Sequence, residues 1–440
     1  MDHTTLLTLS IVIFTIAYFF IATELIDKTI ASLLGGAAVM ILHLAPFEEL
    51  LHKIDLSVIG LLVGMMIVMD VFARTGVFEW LALVIAKKSK GSGMLITVEF
   101  LLVTAVLSAL LDNVTTVILI APITILIAQI LEIPAVPILI LEAIFSNVGG
   151  TSTLIGDPPN IVIGVQTGLT FNEFIEHLSP VCFLIALVTL AVAYPLLRKR
   201  LVASPVTIER LMKARPERAI VDPRLLKRAL PIFILILLAF FTSRFFKLDP
   251  GLIAMTGAVV MVLVCRVKLP QLLERVEWDT IMFFVGLFIM IGALEINGLF
   301  DILGKAIIHF TQGNLVLTVM VIMWFSALLS AIVNNIPLVI AMIPLIKTMI
   351  PIFAQSMGIS GNAEAILHQI EYPLYWGLAL GGCLGGNGTI VGASANVVVT
   401  QIARRNKYKL SFWDFAKYGF PLMVLSMIIS SIYVYVRYLW

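Results

Sequence analysis

The chain is poor in charge. Asp, Glu, Lys and Arg make up 13% of its 440 residues, about half the share of an ordinary soluble domain. With 60% of residues hydrophobic and a mean hydropathy of +1.07, a soluble protein is excluded. A formal net charge of +2 leaves no basic face for nucleic acid. Cysteine is scarce as well. Cys182, Cys265 and Cys383 stand far apart in apolar segments, which supports neither a disulfide framework nor a thiolate metal site. The six histidines form no pair at ligand spacing, so no structural metal is expected. No nucleophile–base pair or cofactor loop points to an enzyme. The N-terminal MDHTT lacks a basic region and a cleavage site, so the run from Leu6 to Ala22 reads as a retained first helix.

What is abundant is apolar sequence in membrane-sized lengths. Runs long enough to cross a bilayer, at about 20 residues each, fall near 5–25, 29–45, 56–74, 180–197, 230–247, 251–267, 280–297 and 420–438. This is an all-α polytopic membrane protein. Four further segments are unusual. Residues 94–131 and 314–350 are too long for one helix and carry Asp112-Asn113 and Asn334-Asn335 at their middles, so each reads as a helical hairpin. Residues 134–167 and 372–403 are apolar but interrupted, by GGTSTLIGDPPN and GGNGTIVGASAN. A basic stretch, 198–229, reads as a solvent-exposed linker between two halves, 1–197 and 230–440.

The halves repeat. Adding 222 carries Gly64 onto Gly286, Gly76 onto Gly298, Asn113 onto Asn335 and Pro122 onto Pro344. The shift grows to 236 across the interruptions, pairing Gly149, Gly150, Thr153, Gly156 and Asn160 with Gly385, Gly386, Thr389, Gly392 and Asn396. It ends at 241, pairing Phe171, Phe174 and Pro180 with Phe412, Phe415 and Pro421. Matched Gly, Pro and Asn are not a by-product of shared oiliness, and a duplicated transporter predicts such pairing. If hairpins return to their starting side and interrupted segments cross once, each half has five crossings and the repeats are inverted. That arrangement puts 23 of the 29 Lys and Arg on one side. The positive-inside rule makes this side cytoplasmic and leaves both termini outside the cell's inner membrane.

Broken helices survive in a membrane only where protein or a water-filled cavity surrounds them, and paired breaks mark a transporter's binding site. In the first break Gly149-Gly150 ends a half-helix and leaves carbonyls free for a cation. Asp157 before Pro158 reads as the N-cap of the restarted helix that leads to Asn160. The hydroxyls of Thr151, Ser152 and Thr153 lie between, and Asn147 precedes them. The hairpin tip supplies Asp112, as a cap, with Asn113, Thr115 and Thr116. A turn between two full crossings would read the same way. The second half offers a neutral mirror of Asn334, Asn335, Gly386, Asn387, Thr389, Ser394 and Asn396. Both acids belong to the first half, since Asp112 maps onto Asn334 and Asp157 onto Ala393.

An ionisable group inside a membrane is a functional candidate, and burial disfavours its charged form. Asp112 and Asp157 are therefore the expected proton carriers. Asp70 and Glu295 read as structural acids, and Cys383 as a packing residue. No Lys or Arg falls in either tip or break, so the lining suits a small neutral polyhydroxy solute or a monovalent cation.

LDNVTT, NVGGTSTLIGDPPN and GGCLGGNGTIVGASANVV resemble the arsenite permease, NhaD-type sodium–proton antiporter and P-protein branch of the ion transporter superfamily. Divalent anion–sodium symporters are distant members. The resemblance runs over essentially the whole chain. It implies two re-entrant hairpins, two broken helices, a homodimer, and a mobile transport domain that moves as an elevator against a scaffold. At Asn334 the P-protein relatives carry Asp, which bears against any mechanism needing an acid in both tips. The expected function is secondary active transport. Its leading form is proton-coupled efflux of arsenite or antimonite, with the Asn and Thr groups holding the solute. Sodium–proton antiport is the alternative, and transport of an organic or inorganic anion, or a P-protein-like channel, is the third reading. Proton or sodium would be the coupling ion, no cofactor is expected, and a partner ATPase subunit stays open.

Overall fold

The computed structural model describes residues 2–23, 25–90, 92–213 and 215–440. Glu24, in the first expected span, and Ala214, in the expected linker, lie outside the described residues. Among the described residues, eighteen longer helices follow one another in two runs of nine. The first run is α1 (His3–Thr23), α2 (Lys28–Ile41), α3 (Leu56–Ala73), α4 (Val77–Lys88), α5 (Gly93–Leu110), α6 (Asn113–Leu131), α7 (Ala135–Thr151), α8 (Pro158–Thr167) and α9 (Phe171–Leu197). The second is α10 (Pro223–Phe246), α11 (Pro250–Cys265), α12 (Trp278–Ile296), α13 (Leu299–Phe310), α14 (Leu315–Ile332), α15 (Asn335–Ser356), α16 (Tyr372–Gly385), α17 (Ser394–Arg405) and α18 (Phe412–Val434). No strand occurs among the described residues.

Helix boundaries follow local chemistry. Asp27, Asp55, Asp222 and Asp249 each accept backbone N–H bonds at the start of α2, α3, α10 and α11, satisfying donors that a helix start leaves open. Thr170 with Glu173, and Ser411 with Asp414, form capping boxes at repeat-related positions. These boxes start α9 and α18 some eight or nine residues before the apolar runs that announced them. Gly76 and Gly298, at φ +75° and +77°, make the left-handed turns into α4 and α13.

Among the described residues, ten helices are long and apolar enough to cross a membrane: α1, α3, α5, α6, α9, α10, α12, α14, α15 and α18. Four of these are hairpin arms, whereas α2 (14 residues), α7 (17 residues) and α11 (16 residues) are shorter.

Packing is reciprocal between the halves. Helix α3 packs on α11 as α12 packs on α2, with small residues at both crossings. A Cβ on Gly64 would lie 2.5 Å from the Ala254 carbonyl carbon, and one on Gly286 would lie 2.5 Å from the Ser32 carbonyl oxygen. Hairpin arm α5 packs on α7 as α14 packs on α16. The returning arms cross over: α6 meets α17, and α15 meets α8.

The basic stretch is less free than its composition indicates. It contains a short helix, Pro205–Met212, and a turn of 3-10 helix, Pro216–Ala219. Leu201, Thr207, Leu211 and Pro216 are buried, and Val221 N–H donates to the Thr75 carbonyl at 2.9 Å. Its short helix packs on α6 and α4 and its 3-10 turn on α4, so it is a folded strap and not a wholly exposed linker.

Candidate substrate cavity

Both hairpin tips and both breaks meet in one polar core. Asp112 caps α6, accepting from Thr115 N–H at 2.8 Å and from the Thr115 hydroxyl. Thr116 donates to the Asp112 carbonyl at 3.0 Å. Asn334 caps α15 by accepting from Ile336 N–H at 3.1 Å, and its amide donates to Ser394 Oγ at 3.2 Å. The repeat-related tips are thus held in the same way, one with an acid and one with an amide.

Behind the tips runs a chain of buried asparagines. Asn113 Nδ2 donates to Asp157 Oδ1 and to Asn147 Oδ1, each at 3.1 Å. Asn147 Nδ2 donates in turn to Asn387 Oδ1 at 2.9 Å and Asn396 Oδ1 at 3.0 Å. Asn147 is fully buried and joins the two halves through side-chain amides alone.

Each break is closed by the Asn that follows it. Asn160 Nδ2 donates to the carbonyls of Thr151 and Thr153 at 2.9 Å, and lies 3.4 Å from that of Gly150. Asn396 Nδ2 does the same to Gly386 and Thr389, both at 2.8 Å. The second half-helix therefore satisfies the carbonyl end of the first, as buried backbone requires. Glycine is needed for the close approach: a Cβ on Gly149 would sit 2.1 Å from the Ala105 carbonyl oxygen, and one on Gly385 would sit 2.4 Å from that of Ala327.

These contacts correct three expectations. The carbonyl of Gly149 is not free for a cation, because Ser152 N–H and Oγ both donate to it. The hydroxyls of Thr151, Ser152 and Thr153 do not face a cavity; they donate to the carbonyls of Asn147, Gly149 and Ala109. Thr389 likewise donates to the Ala331 carbonyl. Short hydroxyl side chains at a helix end find backbone acceptors first. Asp157, third, occupies the N-cap position but caps nothing. Pro159 removes the second-position amide that a cap would use, and Asn160 N–H, at the third, is taken by the Asp157 carbonyl at 2.9 Å. Pro159 thus leaves the carboxylate uncommitted to the backbone.

A cavity of about 570 Å³ opens onto this core. Asp112, Asn113, Asp157, Asn334, Asn335 and Ser394 line its floor. Two buried polar atoms there lack partners: Asp157 Oδ2 and Asn335 Nδ2. The Asn335 amide and the Cys383 thiol both neighbour the Asp157 carboxylate without a well-formed hydrogen bond to Oδ2. Asn387 Nδ2 is also unpartnered, though it sits behind the floor.

The cavity mouth comes from helix starts that the motifs did not flag. Asp27, Lys28 and Thr29 open α2, while Glu277, Asp279 and Thr280 open α12. Lys28 is thus a cation in the lining, against the expectation of none. It lies in a break-free segment, and only the tertiary fold brings it to the site. Its Nζ stands 5.6 Å from the Phe283 ring centroid. Five carboxylates share the cavity lining with it: Asp27, Asp112, Asp157, Glu277 and Asp279. One more buried acid went unnoticed in the sequence. Glu142 on α7 takes a hydrogen bond from Thr124 and leaves Oε2 unpartnered.

Asp70 and Glu295 are paired, with Arg74 at 2.6 Å and Lys53 at 2.8 Å. Cys383 does more than pack, since its thiol lies 3.4 Å from Asn160 Oδ1.

An all-helical membrane body whose broken helices surround a buried acid–amide floor defines a small-solute transporter. The chain belongs to the citrate transporter (CitMHS) family, whose model matches residues 18–368. An uncharacterized transporter of Mycobacterium tuberculosis is 39% identical over 433 residues, covering 98% of each chain. The human P protein is 30% identical over 520 residues, covering 99% of this chain and 60% of the P protein. An uncharacterized transporter of Synechocystis is 32% identical over 424 residues, 94% of each chain.

Proposed function

We propose that the protein is a proton-coupled secondary active transporter of the inner membrane. One observation carries this reading: Asp157 is 1% exposed, has an unpartnered carboxylate oxygen and, among the described residues, has no cation within ion-pair distance. An ionised carboxylate so placed costs several kcal/mol unless something neutralises it, so it takes up a proton or a cation when the site closes. Asp112, on the same floor, is the second candidate carrier.

The solute that best suits the floor both donates and accepts hydrogen bonds. Asp157 Oδ2 offers an acceptor and Asn335 Nδ2 a donor, which suits the neutral trihydroxide of arsenite or antimonite leaving the cell. Sodium–proton exchange is the second reading, favoured by five carboxylates against one lysine in the lining. An anion such as citrate would rest on Lys28. The repeats are inverted, the hairpins re-enter, both termini lie outside, and a homodimer moves its hairpins and breaks as an elevator against α1–α3 and α10–α12. The cavity mouth then faces the cytoplasm.

The test uses everted vesicles holding a proton gradient, to which arsenite, sodium or citrate is added in turn. Collapse of the gradient by arsenite supports the lead reading. Collapse by sodium alone replaces it with antiport, and collapse by citrate alone with anion transport. Flux without proton movement refutes the coupling.

A further inference from the structure

Acids open many of the helices, and the two at the cavity that leave their helix starts uncapped stand apart from those that cap. Asp27, Asp55, Asp112, Asp222 and Asp249 all turn their carboxylates onto the backbone N–H groups of the helices they start. Asp157 and Glu277 make no such bond. Both line the cavity, one at its floor and one at its mouth. Asp157 is freed by Pro159, as above. Glu277 is not, because the residues that follow it, Trp278, Asp279 and Thr280, all carry N–H groups. Its carboxylate instead accepts from the Thr280 hydroxyl at 3.1 Å.

The repeat sharpens the contrast. Glu277 stands 222 residues after Asp55, its counterpart at the start of α3. Asp55 caps, accepting from Ser57 and Val58 N–H at 3.1 Å. Glu277, one methylene longer, is exposed at the cavity mouth and within the electrostatic field of Asp112, Lys28 and Asp279. Asp27 and Asp157 complete the charged groups around the same cavity. The mouth thus holds an acid that is uncommitted to the backbone and open to solvent, across the cavity from the acid in the first tip.

We propose that Glu277 is the proton-transfer group between Asp112 and the aqueous phase at the cavity mouth. The proton leaves a carboxyl oxygen of Asp112 and travels through water filling the cavity to a carboxylate oxygen of Glu277. Asp112 becomes the carboxylate and Glu277 the acid, which then gives the proton to bulk water. Lys28 stabilises the carboxylate form of Glu277 between transfers. The proposal rests on the proton-coupled reading above and takes Asp112, its second candidate carrier, as the group that exchanges a proton with the cavity mouth.

Proteoliposomes holding a pH-sensitive dye test it, with arsenite, sodium and citrate each tried on the wild-type protein. Glu277→Gln is expected to slow solute-dependent proton movement about tenfold or more, the low end of what a proton-transfer group contributes. Counterflow of the same solute at equal pH, which needs no net proton transfer, stays within about twofold of wild type. Glu277→Asp restores part of the proton rate and shifts its pH profile. Asp301→Asn, at an exposed acid outside the cavity, leaves both rates unchanged. Proton movement in Glu277→Gln at the wild-type rate overturns the proposal. Equal loss of counterflow, unrescued by Asp, overturns it too by showing a structural role. If the wild-type protein moves none of the three solutes, the transport reading itself fails and this assignment falls with it.

Discussion

Replacing Asn147 with Ala removes a side-chain amide that links the two halves of the core. The variant loses three hydrogen bonds, to Asn113, Asn387 and Asn396. Asn113 keeps its bond to Asp157, and Asn396 Nδ2 keeps its two carbonyls. The oxygens of Asn387 and Asn396 lose the donor they shared. Hydrogen bonds between helices in a membrane contribute about 0.6–1.7 kcal/mol each, so the loss is about 2–5 kcal/mol. For a chain of this size that lowers the apparent melting temperature by about 4–10 °C, at about 2 °C per kcal/mol. The assay is thermal unfolding in detergent at one scan rate, with Asn406→Ala as control. Asn406 is exposed and makes a single bond to the Ile402 carbonyl, so its removal shifts stability by about 0.5 kcal/mol or less. A shift for Asn147→Ala no larger than that of the control refutes the idea that this amide chain holds the halves together.

Gly149→Ala and Gly385→Ala are expected to destabilise alike, by about 1–3 kcal/mol or more, because each new Cβ would meet a helix carbonyl oxygen, at 2.1 and 2.4 Å. Gly361→Ala, with open space around it, is the control in the same melting assay. Thr153→Val costs about 1 kcal/mol of stability and leaves solute affinity unchanged, since its hydroxyl serves the Ala109 carbonyl. Asn335→Ala instead raises the solute KM up to about tenfold, the equivalent of one lost hydrogen bond of roughly 1.4 kcal/mol. Transport kinetics across a range of solute concentrations separate the two.

Much of the architecture was legible before any coordinates, for local reasons. The breaks and tips announce themselves because Gly, Pro and Asn are conspicuous in oily sequence, and Asp112 caps α6 as its position predicts. The spacing of Asn160 and Asn396 behind their glycine pairs fixed the register of the two halves. What was hidden depends on how segments meet. Lys28 and Glu277 lie 249 residues apart in sequence and in unremarkable helix starts, so nothing local places them in one cavity. The hydroxyls of Thr151 to Thr153 are polar residues at a break, yet backbone acceptors claim them. Asp157 carried the opposite error: its sequence context fits a capping acid, and only the loss of N–H at Pro159 reveals why it cannot cap. Glu142 escaped notice because a lone acid in an apolar helix shows no partner until Thr124 is brought beside it.

Asp157 is where the account is most exposed. In everted vesicles with an imposed proton gradient, wild-type protein collapses that gradient when its solute is added. Asp157→Asn, a nearly isosteric change that removes an unpaired buried charge, should leave the melting temperature within about 2 °C of wild type while abolishing solute-dependent proton movement. Gradient collapse at the wild-type rate in the folded Asp157→Asn protein would contradict the claim that the freed carboxylate carries the proton.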